Sequence, residues 1–215
     1  MATVALDIET ISPGMDNTGG VDFLNSRDFE VAAVGIAHRR SPDSRIESNV
    51  LWRNETRTSD EYKLLRRTIE WLNDRHYDYI LTYNGVNFDE RHLRGRAAII
   101  ADELDDLTLP EDMHKAWEDA YHRDLMHNVV RDQGHRLSFE DAVEEYVGER
   151  PPTVQWDGEP IENGDIPELA EQLLAYRAGL SDMCEDRATH IRDVLETYVE
   201  ADIHPLFDLA DELNR

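Results

Sequence analysis

Val4-Ala5-Leu6-Asp7-Ile8-Glu9-Thr10 is an apolar, β-leaning run broken by two carboxylates one residue apart. Side chains alternate along a strand, so Asp7 and Glu9 share a face, a few ångströms apart. Two like charges on a half-buried strand repel each other and lose hydration. A divalent cation offsets both costs, and an all-oxygen donor set suits Mg²⁺ or Mn²⁺. A solvated strand end is the plainer reading of Asp-x-Glu taken alone, so the rest of the chain has to decide.

Outward from this run, the N-terminal half alternates strands and helices. Strands are expected over 3–10, 29–39, 46–53 and 78–83, with a turn-rich loop over 11–28. Ser59-Asp60-Glu61 opens a helix whose apolar face carries Leu64, Leu65, Ile69 and Leu72. Asn84-Gly85-Val86-Asn87 turns into a second helix near Phe88-Asp89. Residues 101–120 read as partly helical and 121–130 as a short strand followed by a helix. Ser138-Phe139-Glu140-Asp141 reads as a capped helix start. Residues 149–165 read as a loop, and 166–215 as helical with a break at Pro205. This order predicts an α/β fold: a mixed β-sheet flanked by helices, with a helical C-terminal third, in a single domain over 1–215.

Composition narrows the class. No run approaches ~18 consecutive apolar residues, so no membrane span is expected. No basic-then-apolar leader is present, and a cytoplasmic protein is the expectation. The one cysteine, Cys184, excludes an internal disulfide and a cysteine-based zinc cluster. His122, His127 and His135 lack zinc-ligand spacing. There are 47 acidic residues against 22 basic ones, a formal net charge of −25, and all but Lys63 and Lys115 of the basic residues are arginine. A dispersed acidic surface with almost no lysine resembles that of a salt-adapted, halophilic protein. Such a charge repels itself in dilute buffer, whereas the Debye length is only ~3 Å at 1 M salt. Four tryptophans and regular apolar periodicity argue against disorder.

Three acidic segments follow one another. The first is Asp7-Ile8-Glu9-Thr10. The second is Tyr83-Asn84-Gly85-Val86-Asn87-Phe88-Asp89, extending to Leu93. The third is Asp182-Met183-Cys184-Glu185-Asp186-Arg187-Ala188-Thr189. Asp182 and Asp186 are four apart, hence on one helical face. Acids from a strand, a helix start and a distant helix can converge on a pair of metal ions.

In this order the segments resemble the three motifs of the DEDD, or DnaQ-like, 3′–5′ exonuclease superfamily, which has a ribonuclease H-like fold. The nearest branch is the predicted exonucleases related to the proofreading domain of family B DNA polymerases, and His122-Arg123-Asp124-Leu125-Met126 also resembles a segment of that branch. The resemblance implies a two-metal hydrolysis of phosphodiesters at single-stranded DNA or RNA 3′ ends, with two Mg²⁺ or Mn²⁺ ions activating water and stabilising the leaving oxygen. It places Asp7, Glu9, Asp89 and Asp186 as the metal-binding acids. Thr10, Asn84, Phe88, Arg91 and Arg94 are the expected substrate contacts. Replication or repair proteins are possible partners, and a membrane is not expected.

One departure stands out. The family has a tyrosine four residues before its last acid, or a histidine five before it. Counting back from Asp186, those positions hold Asp182 and Ser181, and Tyr176 is ten away. Asp182 is then a candidate general base or further ligand, with His190 as a substitute. The departure supports a second reading: a catalytically weak ribonuclease H-like module that binds nucleic acid or a repair partner. A net charge of −25 also opposes nucleic-acid binding, although molar salt screens that repulsion. Arg91, Arg94 and Arg96 are the expected local phosphate contacts.

Overall fold

The computed structural model describes residues 1–13 and 21–214; the middle of the expected 11–28 loop, residues 14–20, lies outside the described residues. A five-stranded sheet has the order β3-β2-β1-β4-β5. It is built from β1 (Thr3–Ile11), β2 (Glu30–Arg39), β3 (Glu47–Trp52), β4 (Tyr79–Thr82) and β5 (Tyr121–Asp124). Strands β1 to β3 pair antiparallel, while β4 and β5 run parallel to β1. The sheet is therefore mixed, as the alternating first half of the chain predicts.

Period-2 alternation on β1 divides the core. Val4, Leu6 and Ile8 face one layer, formed by α1 (Thr58–Asn73), α2 (Asp89–Leu104) and α3 (Thr108–Glu118). Ala5 and Ile11 face the other. That second layer holds α4 (Leu125–Gln133), α5 (Phe139–Val147), α6 (Asp165–Arg177), α7 (Glu185–Ile203) and α8 (Pro205–Glu212). Ser138 caps α5 by accepting the Asp141 N–H at 3.1 Å, as its sequence predicts. Pro205 occupies the first position of α8, where its missing N–H costs nothing.

The expected loop over 149–165 needs one correction. It contains a small hairpin, β6 (Gln155–Trp156) and β7 (Glu159–Pro160), closed by Asp157 and Gly158. Both turn residues have positive φ, 51° and 90°, the backbone that favours a two-residue hairpin turn and an Asp-Gly pair.

Helix α7 crosses β2 through Ile191, Leu195, Val199 and Ile203, an i, i+4 stripe that is at most 1% exposed. Gly35 is what lets it come so close. A Cβ there would lie 2.2 Å from Val199 Cγ1 and 3.3 Å from Ile203 Cγ2. Gly35 pairs in register with Asp7, and Ala33 with Glu9, so small residues flank both acids on the face where α7 lies.

Candidate active site

The strand-end acids are presented by a local irregularity. Between Glu9 and Thr10 the β1–β2 register slips by one residue, leaving Ala32 without a partner. Such a bulge twists a strand and re-aims its side chains. Strand β4 pairs with β1 only as far as Ala5, which leaves the next backbone donors of β1 without a strand partner on that side. Asp89, first residue of α2, uses this gap: its Oδ1 accepts the Ile8 N–H at 3.0 Å. The Asp7 and Asp89 carboxyls are near enough that, on top of burial, their mutual repulsion raises the Asp7 pKa.

The turn before Asp89 is braced by Asp124. Its carboxylate accepts the Asn84 N–H at 2.8 Å and the Val86 N–H at 3.1 Å, and it caps α4 through Met126 N at 3.1 Å. Asn84 adopts a left-handed backbone (φ 67°), a conformation that asparagine tolerates. Its Oδ1 accepts from Asn87 Nδ2 at 3.2 Å, so both asparagines shape the turn.

The third side of the site comes from the far end of α7. Carboxylate oxygens of Asp7, Glu9 and Asp202 lie within 4.8 Å of one another. Tyr198 lies one turn earlier on the same helix, close enough for its charge-free hydroxyl to influence Asp202. That hydroxyl donates to Asn163 Oδ1 at 2.8 Å. Asp186, the acid expected here from the sequence, is exposed in the first turn of α7. At 1.5 Å per residue it stands about 24 Å from Asp202 along the helix axis. Asp182 is exposed and precedes the helix, and His190 stacks on Trp156 at 5.1 Å. Of the expected acids, Asp7, Glu9 and Asp89 come together, whereas Asp186 and Asp182 do not join them. Asp202 and Tyr198 are the residues missed, and Tyr198-Val199-Glu200-Ala201-Asp202 carries the four-residue Tyr-to-Asp spacing counted back from the wrong acid.

The electrostatics are those of a cation site. Burial pushes Asp202 up to about 8 and Asp89 up to about 7. Asp7 and Glu9 are held well above the usual carboxylate range, by burial first and then by neighbouring carboxylates. Tyr198 is raised too, by burial and then by Asp202 and Glu9. Glu9 Oε1 is buried with no hydrogen-bond partner, an orphaned acceptor on a residue of the cluster. Hard oxygen donors, mutual repulsion and an unsatisfied oxygen fit Mg²⁺ or Mn²⁺. A cavity of about 260 Å³ opens beside Tyr198 and Asp202, walled by Glu140, Arg150 and the 151–154 segment.

The expected substrate contacts divide. Thr10 lies on β1 beside Glu9 and is 9% exposed. Phe88 packs edge-on against Phe29 and His92, next to the main core. Arg91 holds the Leu24 carbonyl at 3.1 Å. Arg94 is taken up by Glu90 at 2.6 Å and by His114. Arg96 is buried against Glu61, at 2.7 and 2.8 Å, and is structural.

Comparison with known proteins bears on the fold. Residues 28–119, which include Asp89, match the family described as DNA polymerase family B, exonuclease domain. The family B DNA polymerase of the hyperthermophilic archaeon Pyrobaculum calidifontis superimposes with a TM-score of 0.60 at 19% identity, over 99% of this chain and 24% of that one. No curated relative matches the sequence. The chain thus spans about a quarter of the polymerase it resembles. The fold is ribonuclease H-like, a mixed five-stranded sheet flanked by helices. More particularly, residues 28–119 are similar to the exonuclease domain of family B DNA polymerases. Among the described residues no helix is long and apolar enough to cross a membrane.

Proposed function

We propose that the chain, acting as one domain, is a metal-dependent 3′–5′ exonuclease that hydrolyses phosphodiester bonds at single-stranded nucleic-acid ends. The observation that carries this reading is the approach of Asp202, with Tyr198 beside it, to Asp7 and Glu9 within 4.8 Å. Asp7, Glu9, Asp89 and Asp202 would hold two Mg²⁺ or Mn²⁺ ions. When bound, these supply Lewis acidity and an activated water.

The chain's own residues orient and confine the reaction. Tyr198 stands beside the site with its hydroxyl donated to Asn163 Oδ1 at 2.8 Å, and a turn of that O–H away from Asn163 would let it orient a water or the scissile phosphate. Its pKa is raised, so it acts there as a neutral hydrogen-bond donor. Asp89 ties α2 to β1 through the Ile8 N–H and so keeps the strand and helix acids in register. The cavity beside Asp202 is the place for a terminal nucleotide. Tyr198 at the family's spacing supports an active enzyme and leaves the binding-module reading without the departure on which it stood. Replication or repair partners, cytoplasmic location and salt adaptation belong to this proposal as well.

The test is a 5′-labelled single-stranded oligonucleotide, DNA and RNA in parallel, with Mn²⁺ in multimolar KCl. A ladder of shortened products with the wild type, absent with Asp7→Ala, is expected. No cleavage of either substrate by folded protein would overturn the assignment.

A further inference from the structure

A second cavity, of about 660 Å³, lies at the opposite end of the parallel strands from the carboxylates. Its floor follows from strand register. Thr3, Tyr79 and Tyr121 form one cross-strand row, and Ala5, Leu81 and Arg123 form the next row on the same face. Ala5 and Leu81 are buried in the core beneath α8, whereas Arg123, on the edge strand, is half-buried. Its stem lies on the apolar layer and its guanidinium reaches the cavity. Arg131 of α4 and Arg39 of β2 line the same space.

The charge balance there is unlike the rest of the molecule. Arg39 is matched by Asp211, 2.8 Å from both carboxylate oxygens, and stacks on Phe207. Asp124 also borders the cavity, but its oxygens are spent on three backbone N–H groups. Arg123 has only the Ala210 carbonyl at 3.3 Å, and neither it nor Arg131 forms an ion pair among the described residues. In a chain with 47 acids, a half-buried guanidinium is left without a direct carboxylate partner, since Asp211, which lines the same cavity, is paired with Arg39. Burial works most against the ionised form of Arg123 and Arg131 adds to this, while Tyr79, Asp211 and Tyr121 offset part of it, and the arginine stays charged. An anion bound between the two guanidinium groups relieves both penalties.

The rim supplies a second kind of contact. Tyr79 and Tyr121 meet edge to face at 5.8 Å, and Tyr121 is 69% exposed. An exposed aromatic ring is a platform for a flat base. The volume is within the usual range for small-molecule sites.

We propose that this cavity binds a nucleoside monophosphate, its phosphate between Arg123 and Arg131 and its base against Tyr121. The site is separate from the carboxylate cluster and does not depend on the exonuclease assignment.

The experiment titrates dAMP and AMP into Asp7→Ala protein by calorimetry, with EDTA present, at the lowest KCl concentration that keeps the chain folded by circular dichroism. These conditions remove any metal-dependent binding at the carboxylates. Saturable one-to-one binding is expected, weakened ~10-fold or more by Arg123→Gln and by Arg131→Gln. Arg131 is exposed, so its variant keeps the test open if Arg123→Gln does not fold. Tyr121→Ala should weaken nucleotide binding and leave inorganic phosphate unaffected. Absence of saturable binding overturns the proposal. So does binding that both arginine variants retain, or inorganic phosphate binding as tightly as dAMP, which would make the cavity a simple anion site.

Discussion

Asp186 and Asp202 belong to one helix, about 24 Å apart along its axis, and only Asp202 reaches the carboxylates of β1. The pair therefore separates a site residue from a solvated one. Asp202→Asn should lower exonuclease turnover by ~100-fold or more and remove the thermal stabilisation by Mn²⁺, while Asp186→Asn should leave both unchanged. Single-turnover assays and melting curves with and without Mn²⁺ check this.

Tyr198 sits one turn before Asp202 and contributes a hydroxyl, not a charge. Tyr198→Phe should reduce turnover by ~10- to 1000-fold and leave Mn²⁺ affinity near the wild-type value. Equal losses in both would assign Tyr198 to the metal-binding set.

Burial raises Asp202 from its ordinary carboxylate value to about 8. The folded state then holds this proton more tightly than the unfolded chain, whose value is ~3.9. Its contribution is fully present below the unfolded value and is lost as pH climbs towards 8. Asp89, raised to about 7, acts in the same direction. In EDTA, Asp202→Asn should melt a few degrees above wild type at pH 8 and close to it at pH 4. With Mn²⁺ at pH 8 the order should reverse, because the wild type gains binding energy that the variant lacks. Melting curves at both pH values read this directly.

Gly35 sets how closely α7 approaches the strand that carries Asp7. Gly35→Val should push α7 outward, lower stability by ~1–3 kcal/mol and weaken Mn²⁺ binding, without changing any ligand. Urea titration and Mn²⁺ titration of the same variant separate the two effects.

The net charge of −25 predicts a steep salt response. Melting temperature should rise between ~0.1 and ~2 M KCl as self-repulsion is screened. A melting temperature independent of salt would remove the halophilic reading.

Most of the sheet was legible because its strands are short apolar runs with clear turn signals. The first two acids were legible because strand alternation alone places them together. Asp89 was legible from the turn residues before it. The fourth acid was not, because in so acidic a chain a carboxylate carries little information. Asp186 has Asp182 one turn away and reads as a pair, whereas Asp202 is distinguished only by Tyr198 and by the buried stripe of Leu195, Val199 and Ile203 beside it. The arginines misled for the opposite reason. Arg96 looks like a phosphate contact until Glu61, far away in sequence and fully buried, is seen to claim it.

The proposed active site joins Asp7 of the first strand to Asp202 of the penultimate helix, across 195 residues of sequence. A ribosome must therefore have made almost all of these residues before the fourth acid exists. Until then, the face of the sheet that carries Asp7 and Glu9 lacks the helix that covers it and completes the set. A nascent chain, or one cut short before α7, carries the recognisable first motifs and no assembled centre. On the proposed reading, the ability to cut nucleic acid is gained only when nearly the whole chain has been made.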